Sequence, residues 1–243
     1  MTFSNVYADG QRAESYARLE FPGTYYLAYR DLPAILAEHV HGKAAIDFGC
    51  GTGRSTRFLR QLGFDTVGVD ISAEMIAMAR RLDPDGRYVL IEDGDLSELD
   101  HRAYDLALAV FTFDNIPGED HRVRLLRELR DRLKSDGVIV LVDSTPELYV
   151  NEWASFSTAA TCPSNLTAKA GDVVYTVMLD VEDRRPVEDI LWLDEDYRTA
   201  FDRARLRLIE TYRPLGRRDD PHRWVNETRI APWVIYVAGS PLA

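Results

Sequence analysis

The sequence predicts an α/β fold in which a doubly wound, mostly parallel sheet of seven strands carries helices on both faces. Short apolar runs alternate with stretches of helical periodicity, and the first apolar run ends in a glycine-rich turn. The run at 104–113 is apolar at nearly every position, as expected of a strand buried on both faces. With 243 residues, 46% of them hydrophobic, the chain can build one core domain.

Strands and helices alternate in the first part of the chain. The predicted strands are 44–48, 66–69, 87–91, 104–113 and 138–142, and the predicted helices are 54–62, 73–82 and one that begins near residue 119. Gly63 ends the first helix, and Ser72 is a suitable N-cap for the second. Leucines spaced helically between residues 125 and 133 mark the buried stripe of the third.

The alternation stops after Asp143. Two β-rich runs at 173–179 and 187–193 are separated by a charged turn ending in Pro186, which predicts a β-hairpin inserted after strand 5 rather than another crossover. The remaining predicted elements are a helix at 197–204 and strands at 206–212 and 230–238.

Charge and cysteine content argue against several classes of protein. The formal net charge of −11 disfavours a nucleic-acid partner, because such partners select clustered Lys and Arg. Cys50 and Cys162 are the only cysteines, too few for a disulfide framework or a cysteine metal cluster, and we expect no metal. No run approaches membrane-spanning length, and no secretion signal is evident. We expect a cytoplasmic monomer or homodimer without a membrane partner.

The glycine-rich turn predicts a nucleotide-like ligand. Gly49, Gly51 and Gly53 lie between a strand and a helix, where an open backbone lets N–H groups approach a ligand. The next residue is Arg54, so the third glycine of a dinucleotide fingerprint is missing. This departure disfavours, without excluding, a nucleotide-dependent oxidoreductase.

Carboxylates follow the next two strands. Asp70 ends the second strand, where it can accept both hydroxyls of a ribose. Asp95 follows the third strand, within reach of an adenine amino group. Because the carboxyl ends of parallel strands share one edge of the sheet, these side chains and the glycine turn predict an adenosine site.

Taken in order, these motifs resemble those of the class I S-adenosylmethionine-dependent methyltransferases of the small-molecule type. The matching segments are IDFGCGTG at 46–53, VDIS at 69–72 with Met75, DGDL at 93–96, YDL at 104–106 with Phe111, and LKSDG at 133–137. The resemblance covers about residues 40–143. It implies a Rossmann-like sheet, S-adenosyl-L-methionine as cofactor and S-adenosyl-L-homocysteine as product.

The resemblance also implies a division of the single domain at 1–243. It comprises a helical lid at 1–40, a cofactor-binding core at 41–143, an insertion at 144–193 that caps the substrate, and a C-terminal helix with a strand pair at 194–243. The lid would supply a Tyr or Arg to the methionyl carboxylate, although a tyrosine stripe packed on the core explains the same tyrosines equally well. The implied cofactor-binding residues are Tyr16, Tyr26, Arg30, Asp47, Gly49, Gly51, Gly53, Asp70, Ile71, Met75, Asp95, Leu96 and Phe111.

We expect the methyl acceptor to be a small molecule. The segment FTFDNIP at 111–117 lacks the Asn/Asp-Pro-Pro-aromatic motif of enzymes that methylate adenine or glutamine amides, and Cys162-Pro163 reverses the Pro-Cys of cytosine C5 enzymes. Acceptor-binding candidates in the insertion are Glu152, Trp153 and Trp192, although the hairpin could instead pair across a dimer interface.

No general base stands out in the sequence. The catalytic candidates are Asp114, Asn115, His121 and His222. An amine acceptor can react without a dedicated base, so we expect N- or O-methylation with a slight preference for nitrogen. A protein that binds S-adenosylmethionine without catalysis, as a scaffold, is the alternative.

Overall fold

A computed structural model describes residues 22–241, which contain a seven-stranded sheet and a smaller three-stranded sheet. The strands are β1 Ala44–Phe48, β2 Asp65–Asp70, β3 Arg87–Leu90, β4 Tyr104–Val110, β5 Leu133–Ser144, β6 Phe156–Ser157, β7 Val173–Met178, β8 Val187–Ile190, β9 Arg207–Tyr212 and β10 Trp233–Gly239. The helices are α1 Thr24–Arg30, α2 Leu32–His39, α3 Arg54–Gln61, α4 Ala73–Leu82, α5 Glu119–Arg132 and α6 Asp194–Arg203, with 3₁₀ turns at Phe113–Asn115, Pro146–Val150 and Pro163–Thr167.

The predicted fold class is confirmed. The large sheet has the order β3-β2-β1-β4-β5-β10-β9, in which β1 to β5 are parallel and β10 is antiparallel to both of its neighbours. Residues of β4 alternate between two apolar clusters: Leu106 and Leu108 lie in one, Ala107 and Ala109 in the other. Helices α1 to α3 contribute to the first cluster, and α5 and α6 to the second. The core is therefore built on both faces of the sheet.

Strand β4 is shorter than predicted. It ends at Val110 because Phe111 adopts a φ of 56°, in the left-handed region that residues other than glycine rarely occupy. The chain then enters the 3₁₀ turn at Phe113–Asn115. The apolar character of Phe111 and Phe113 thus reflects packing beyond the strand and not strand conformation.

The insertion brings a small sheet to the carboxyl edge of the large one. Its predicted hairpin is present as β7 and β8, and β6 adds a third strand that was not predicted. Strand β8 packs against the 3₁₀ turn that follows β4. Of the proposed lid at 1–40, only residues from 22 onward are described, and Tyr16 lies outside that range. None of the described helices is long and apolar enough to cross a bilayer.

Candidate active site

A cavity of about 870 Å³ lies at the carboxyl edge of the parallel strands. One wall is built by the glycine turn and by Asp70, and another by the β7–β8 hairpin of the insertion. Phe111 and Asn115, which follow β4, line the space between these walls. Cavities of several hundred Å³ are typical of small-molecule sites, and this one can accommodate a cofactor together with an acceptor.

The glycine turn has left-handed backbone at Gly49, Gly51 and Gly53, with φ values of 70°, 51° and 82°. A Cβ on Gly49 would come within 2.4 Å of the Thr112 side chain. Gly49 and Gly51 line the cavity, whereas Gly53 does not. Gly53 is the N-cap of α3, and a Cβ there would lie 2.5 Å from the Tyr88 hydroxyl oxygen. Gly53 therefore shapes the turn without facing the cavity.

Asp47 lies beneath the turn and is fully buried, outside the cavity lining. Its Oδ2 accepts hydrogen bonds from Ser55 Oγ at 2.7 Å and Thr56 Oγ1 at 2.5 Å, both in the first turn of α3. Burial raises its pKa to about 6, against the opposing effect of the two hydroxyl donors. Asp47 therefore holds the start of α3 in place and does not face the cavity.

The raised pKa of Asp47 has a measurable consequence for stability. Since the folded state holds this proton more tightly than the unfolded state, Asp47 lowers the free energy of unfolding as the pH rises from about 4 to 6. We expect wild type to lose about 2 kcal/mol relative to Asp47→Asn between pH 4.5 and pH 7, measured by urea denaturation. A stability difference that stays constant over this range would contradict the assignment.

Asp70 stands at the tip of β2 and lines the cavity. Its Oδ2 accepts a hydrogen bond from Gly51 N at 2.8 Å and its Oδ1 one from Ser72 N at 2.9 Å. Burial raises its pKa despite these backbone donors. Ile71 and Met75 line the cavity beside it, with Met75 in the first turn of α4 after the predicted N-cap Ser72. This wall has the ionic and apolar parts that an adenosine requires.

The strand-3 loop differs from expectation. Asp93 and Gly94 line the cavity, whereas Asp95 is exposed and accepts a hydrogen bond from Ser97 N at 2.8 Å. Leu96 is fully buried in the apolar core. The loop turns at the left-handed residues Asp93 and Gly94, so that the first of its two aspartates lies at the cavity.

The cationic residue beside the glycine turn is Arg54 and not Arg30. Arg30 pairs with Asp31 at 2.7 Å and with Asp220 at 3.1 Å, and it does not line the cavity. Arg54 lines it, with its guanidinium carbon 5.4 Å from the ring centre of Tyr25. A cation in the first turn of a helix opposes the helix dipole. That conflict was the sequence signal that could have pointed to Arg54 as a residue of the cavity.

The tyrosine nearest the turn also differs from expectation. Tyr26 packs against His222 and Trp224, with ring-centre separations of 4.9 and 6.5 Å, and is not part of the cavity lining. Tyr29, one helical turn further along, lines the cavity instead. The packing on Tyr26 also keeps the catalytic candidate His222 away from the cavity.

Two of the four catalytic candidates line the cavity. Asn115 donates from Nδ2 to Phe111 O at 3.2 Å and to Asp114 Oδ1 at 2.9 Å. His121 also lines the cavity, with Nε2 2.9 Å from Asp93 Oδ1. Asp114 is buried behind Asn115, where it accepts a hydrogen bond from Ser144 Oγ at 2.9 Å. Asp114 therefore fixes the orientation of Asn115 and does not itself face the cavity.

The insertion residues proposed for acceptor binding are used for packing. Glu152 accepts hydrogen bonds from the backbone N–H groups of two loop residues, and the buried Trp153 indole donates to Leu148 O at 2.7 Å. Trp192 stacks on the Arg122 guanidinium, with 4.3 Å between its ring centre and the guanidinium carbon. None of the three lines the cavity.

The hairpin presents polar side chains to the cavity instead. Tyr175 from β7, and Glu188 and Asp189 from β8, form its wall. The available signal was the pair of acidic residues, Glu188 and Asp189, between Val187 and Ile190 in a β-rich run. Among the described residues, no group of three or more His, Cys, Asp and Glu side chains is arranged to hold a metal ion.

Known proteins share both the domain and the fold. Residues 46–141 match a family described as a methyltransferase domain. The chain is 40% identical over 68 residues to a malonyl-[acyl-carrier protein] O-methyltransferase of Pectobacterium atrosepticum, covering 28% of this chain and 25% of that protein. It is 30% identical over 121 residues to a dTDP-3-amino-3,6-dideoxy-alpha-D-glucopyranose N,N-dimethyltransferase of Streptomyces fradiae, covering 48% of this chain and 46% of that protein. The chain thus spans less than half the length of these curated relatives.

A solved structure supports the same fold over nearly the whole chain. The CcbJ methyltransferase of Streptomyces caelestis aligns with a TM-score of 0.69 at 18% identity, covering 99% of this chain and 100% of that one. At this identity the match concerns the fold, whereas the matched domain and the curated relatives concern the family. The matched domain and the curated relatives identify residues 46–141 as a methyltransferase domain, and they support a class I S-adenosylmethionine-dependent methyltransferase.

Proposed function

We propose that the protein transfers a methyl group from S-adenosylmethionine to a small-molecule acceptor. The observation that carries this proposal is the single cavity that joins the glycine turn and Asp70 to the polar wall of the insertion. One cavity with two different walls suits a reaction in which two ligands must meet. The acidic net charge supports a small acceptor rather than a nucleic acid.

The residues of the cavity wall match the chemical parts of S-adenosylmethionine. Asp70 offers a buried carboxylate to ribose hydroxyls, and Met75 offers an apolar surface to the adenine ring. Arg54 supplies a cation and Tyr29 a polar ring near the glycine turn, which fits the carboxylate of a methionyl group. Asp93 takes the position proposed for Asp95 at the adenine end. These residues fit the cofactor, which when bound supplies an electrophilic methyl group on a sulfonium.

The protein's own contribution is positioning. Asn115 is held by Phe111 O and Asp114 and lines the cavity between its two walls, where it can orient an acceptor. Relatives include an N,N-dimethyltransferase and an O-methyltransferase by name, so both acceptor atoms occur in similar proteins. The acidic wall of the insertion supports the preference for nitrogen, because it suits a basic group.

Calorimetry tests the proposal. We expect S-adenosylhomocysteine and S-adenosylmethionine to bind, and NAD(H) not to bind, because Arg54 replaces the glycine that a dinucleotide turn requires. Release of S-adenosylhomocysteine on a panel of small amines and alcohols then measures turnover. A folded protein that binds neither S-adenosylmethionine nor S-adenosylhomocysteine would refute the proposal. Binding without turnover on any acceptor would favour a non-catalytic scaffold protein.

A further inference from the structure

Asp189 is the carboxylate of the insertion that lies deepest at the cavity. It is 8% exposed, lines the cavity, and lies on β8 between Glu188 and Ile190. Within residues 22–241, no ion pair and no hydrogen bond of normal geometry reaches its carboxylate. Only the buried Tyr149 hydroxyl faces it as a donor. A positively charged or hydrogen-bond-donating group of a ligand would stabilise this carboxylate, because a buried charge without a partner is unfavourable.

The groups behind Asp189 add negative charge. Asp114, in the 3₁₀ turn, and Asp143, on β5, both raise the pKa of Asp189 in addition to the effect of burial. Both carboxylates are themselves buried, and the Asp143 oxygens receive no hydrogen bond within the described residues. Glu188, the neighbour of Asp189 on β8, is exposed and lines the same wall.

The positive charge beside the three buried carboxylates Asp114, Asp143 and Asp189 comes from α5. The fully buried Arg122 acts on Asp143 and lowers its pKa, and the hydroxyl of Tyr197 from α6 faces the same carboxylate. The Arg122 guanidinium thus faces Asp143, whereas within residues 22–241 no cation affects the pKa of Asp189, the carboxylate that reaches the cavity. The three carboxylates do not form a metal-binding group in the part of the chain described.

We propose that Asp189 binds the ammonium group of a cationic amine acceptor and takes its proton before methyl transfer. This inference rests on the proposed methyltransferase function and names its substrate class. The amine nitrogen gives one proton to the Asp189 carboxylate and regains a lone pair. That lone pair forms the N–C bond while the methyl C–S bond breaks, sulfur keeps the bonding electrons as a thioether, and the nitrogen becomes a methylated ammonium. A raised pKa brings the carboxyl closer to the operating pH, where a general base is most effective.

The test compares paired acceptors on the whole protein. The pairs are cyclohexylamine with cyclohexanol, benzylamine with benzyl alcohol, and glucosamine with glucose, each assayed for S-adenosylhomocysteine release and, by calorimetry, for binding to the protein saturated with S-adenosylhomocysteine. We expect at least one amine to exceed its alcohol about 10-fold or more in both measurements. Alcohols that match or exceed every amine, or the absence of any bound or methylated amine, would overturn the inference.

Substitution of Asp189 tests whether this carboxylate is responsible for the preference for amines. Asp189→Asn is expected to lower kcat/KM for the amine about 100-fold, with S-adenosylhomocysteine affinity within about 2-fold of wild type and partial rescue by Asp189→Glu. The matched control is Glu182→Gln, an exposed carboxylate of the same hairpin that does not line the cavity, and it should leave both values unchanged.

Retained amine turnover in a folded Asp189→Asn variant would overturn the assignment. If that variant does not fold, the amine-to-alcohol affinity ratio of wild type decides. Failure of wild type to bind S-adenosylhomocysteine would instead refute the proposed function, so the two failures are distinguishable.

Discussion

Replacing Asp70 with alanine is expected to weaken S-adenosylhomocysteine binding by about 100-fold or more, because two roles are lost at once. The carboxylate is the proposed acceptor of the ribose hydroxyls. It also accepts the Gly51 and Ser72 N–H groups, which hold the glycine turn against the start of α4. Hydrogen bonds to a charged acceptor contribute roughly 1.5–3 kcal/mol each. The loss of the two hydrogen bonds from the ribose hydroxyls is therefore enough to weaken binding about 100-fold.

Asp65→Ala is the matched control for this measurement. Asp65 lies on the same strand, at its opposite end, and is exposed, so cofactor affinity should remain within about 2-fold of wild type. Melting temperatures and circular dichroism establish that both variants are folded. An unchanged dissociation constant in a folded Asp70→Ala protein would refute the ribose assignment, while a weakened Asp65→Ala would point to a general effect on the sheet.

Local sequence signals correctly placed the glycine turn and Asp70 at the carboxyl edge of the sheet. The bounds of β1 and α4 match their predictions, because each is set by residues adjacent to it: the glycine turn ends β1, and Ser72 caps α4. Asp70 follows β2 directly, so its place at the carboxyl edge followed from the strand alone. In these segments, residues adjacent in sequence determine where the strand or helix begins and ends, so the positions could be predicted without knowledge of tertiary contacts.

Positions that depend on packing between distant segments were not predictable. Arg30 and Arg54 were both available as cations, and Arg30 pairs with Asp31 and with Asp220, 190 positions away, and does not line the cavity. Likewise, Trp153 and Trp192 carry the aromatic character expected of an acceptor pocket, yet both are required by the core. Composition indicated that the insertion faces the site, whereas the register of β8 decided which side chains do so.

The buried charge cluster escaped prediction for the same reason. Asp114, Arg122, Asp143, Asp189 and Tyr197 belong to five separate elements. Each has an ordinary local explanation as a loop, helix or strand-end residue. Their proximity becomes evident only when β8 packs against the turn after β4 and α6 packs against α5.

Replacing Arg122 with leucine is expected to destabilise the protein by about 3–5 kcal/mol at pH 7 in urea denaturation. The side chain is fully buried between Trp192 and Tyr197, with its guanidinium carbon 4.3 and 4.2 Å from their ring centres. Its charge faces Asp143, whose oxygens have no hydrogen bond among the described residues. Leucine retains part of the apolar contact but leaves that carboxylate uncompensated.

Two further measurements separate charge from packing in this variant. Adding Asp143→Asn to Arg122→Leu should recover part of the loss, since the uncompensated charge is then absent. The defect should also shrink from pH 7.5 to pH 5, because burial raises the pKa of Asp143 and of Asp114 in the folded state, so the folded protein takes up protons more readily than the unfolded chain as the pH falls and the effect of the uncompensated charge declines. Arg127→Leu, an exposed position on the same helix, should cost less than about 1 kcal/mol. A defect that is independent of pH and unrelieved by Asp143→Asn would assign the role of Arg122 to packing against the two aromatic rings.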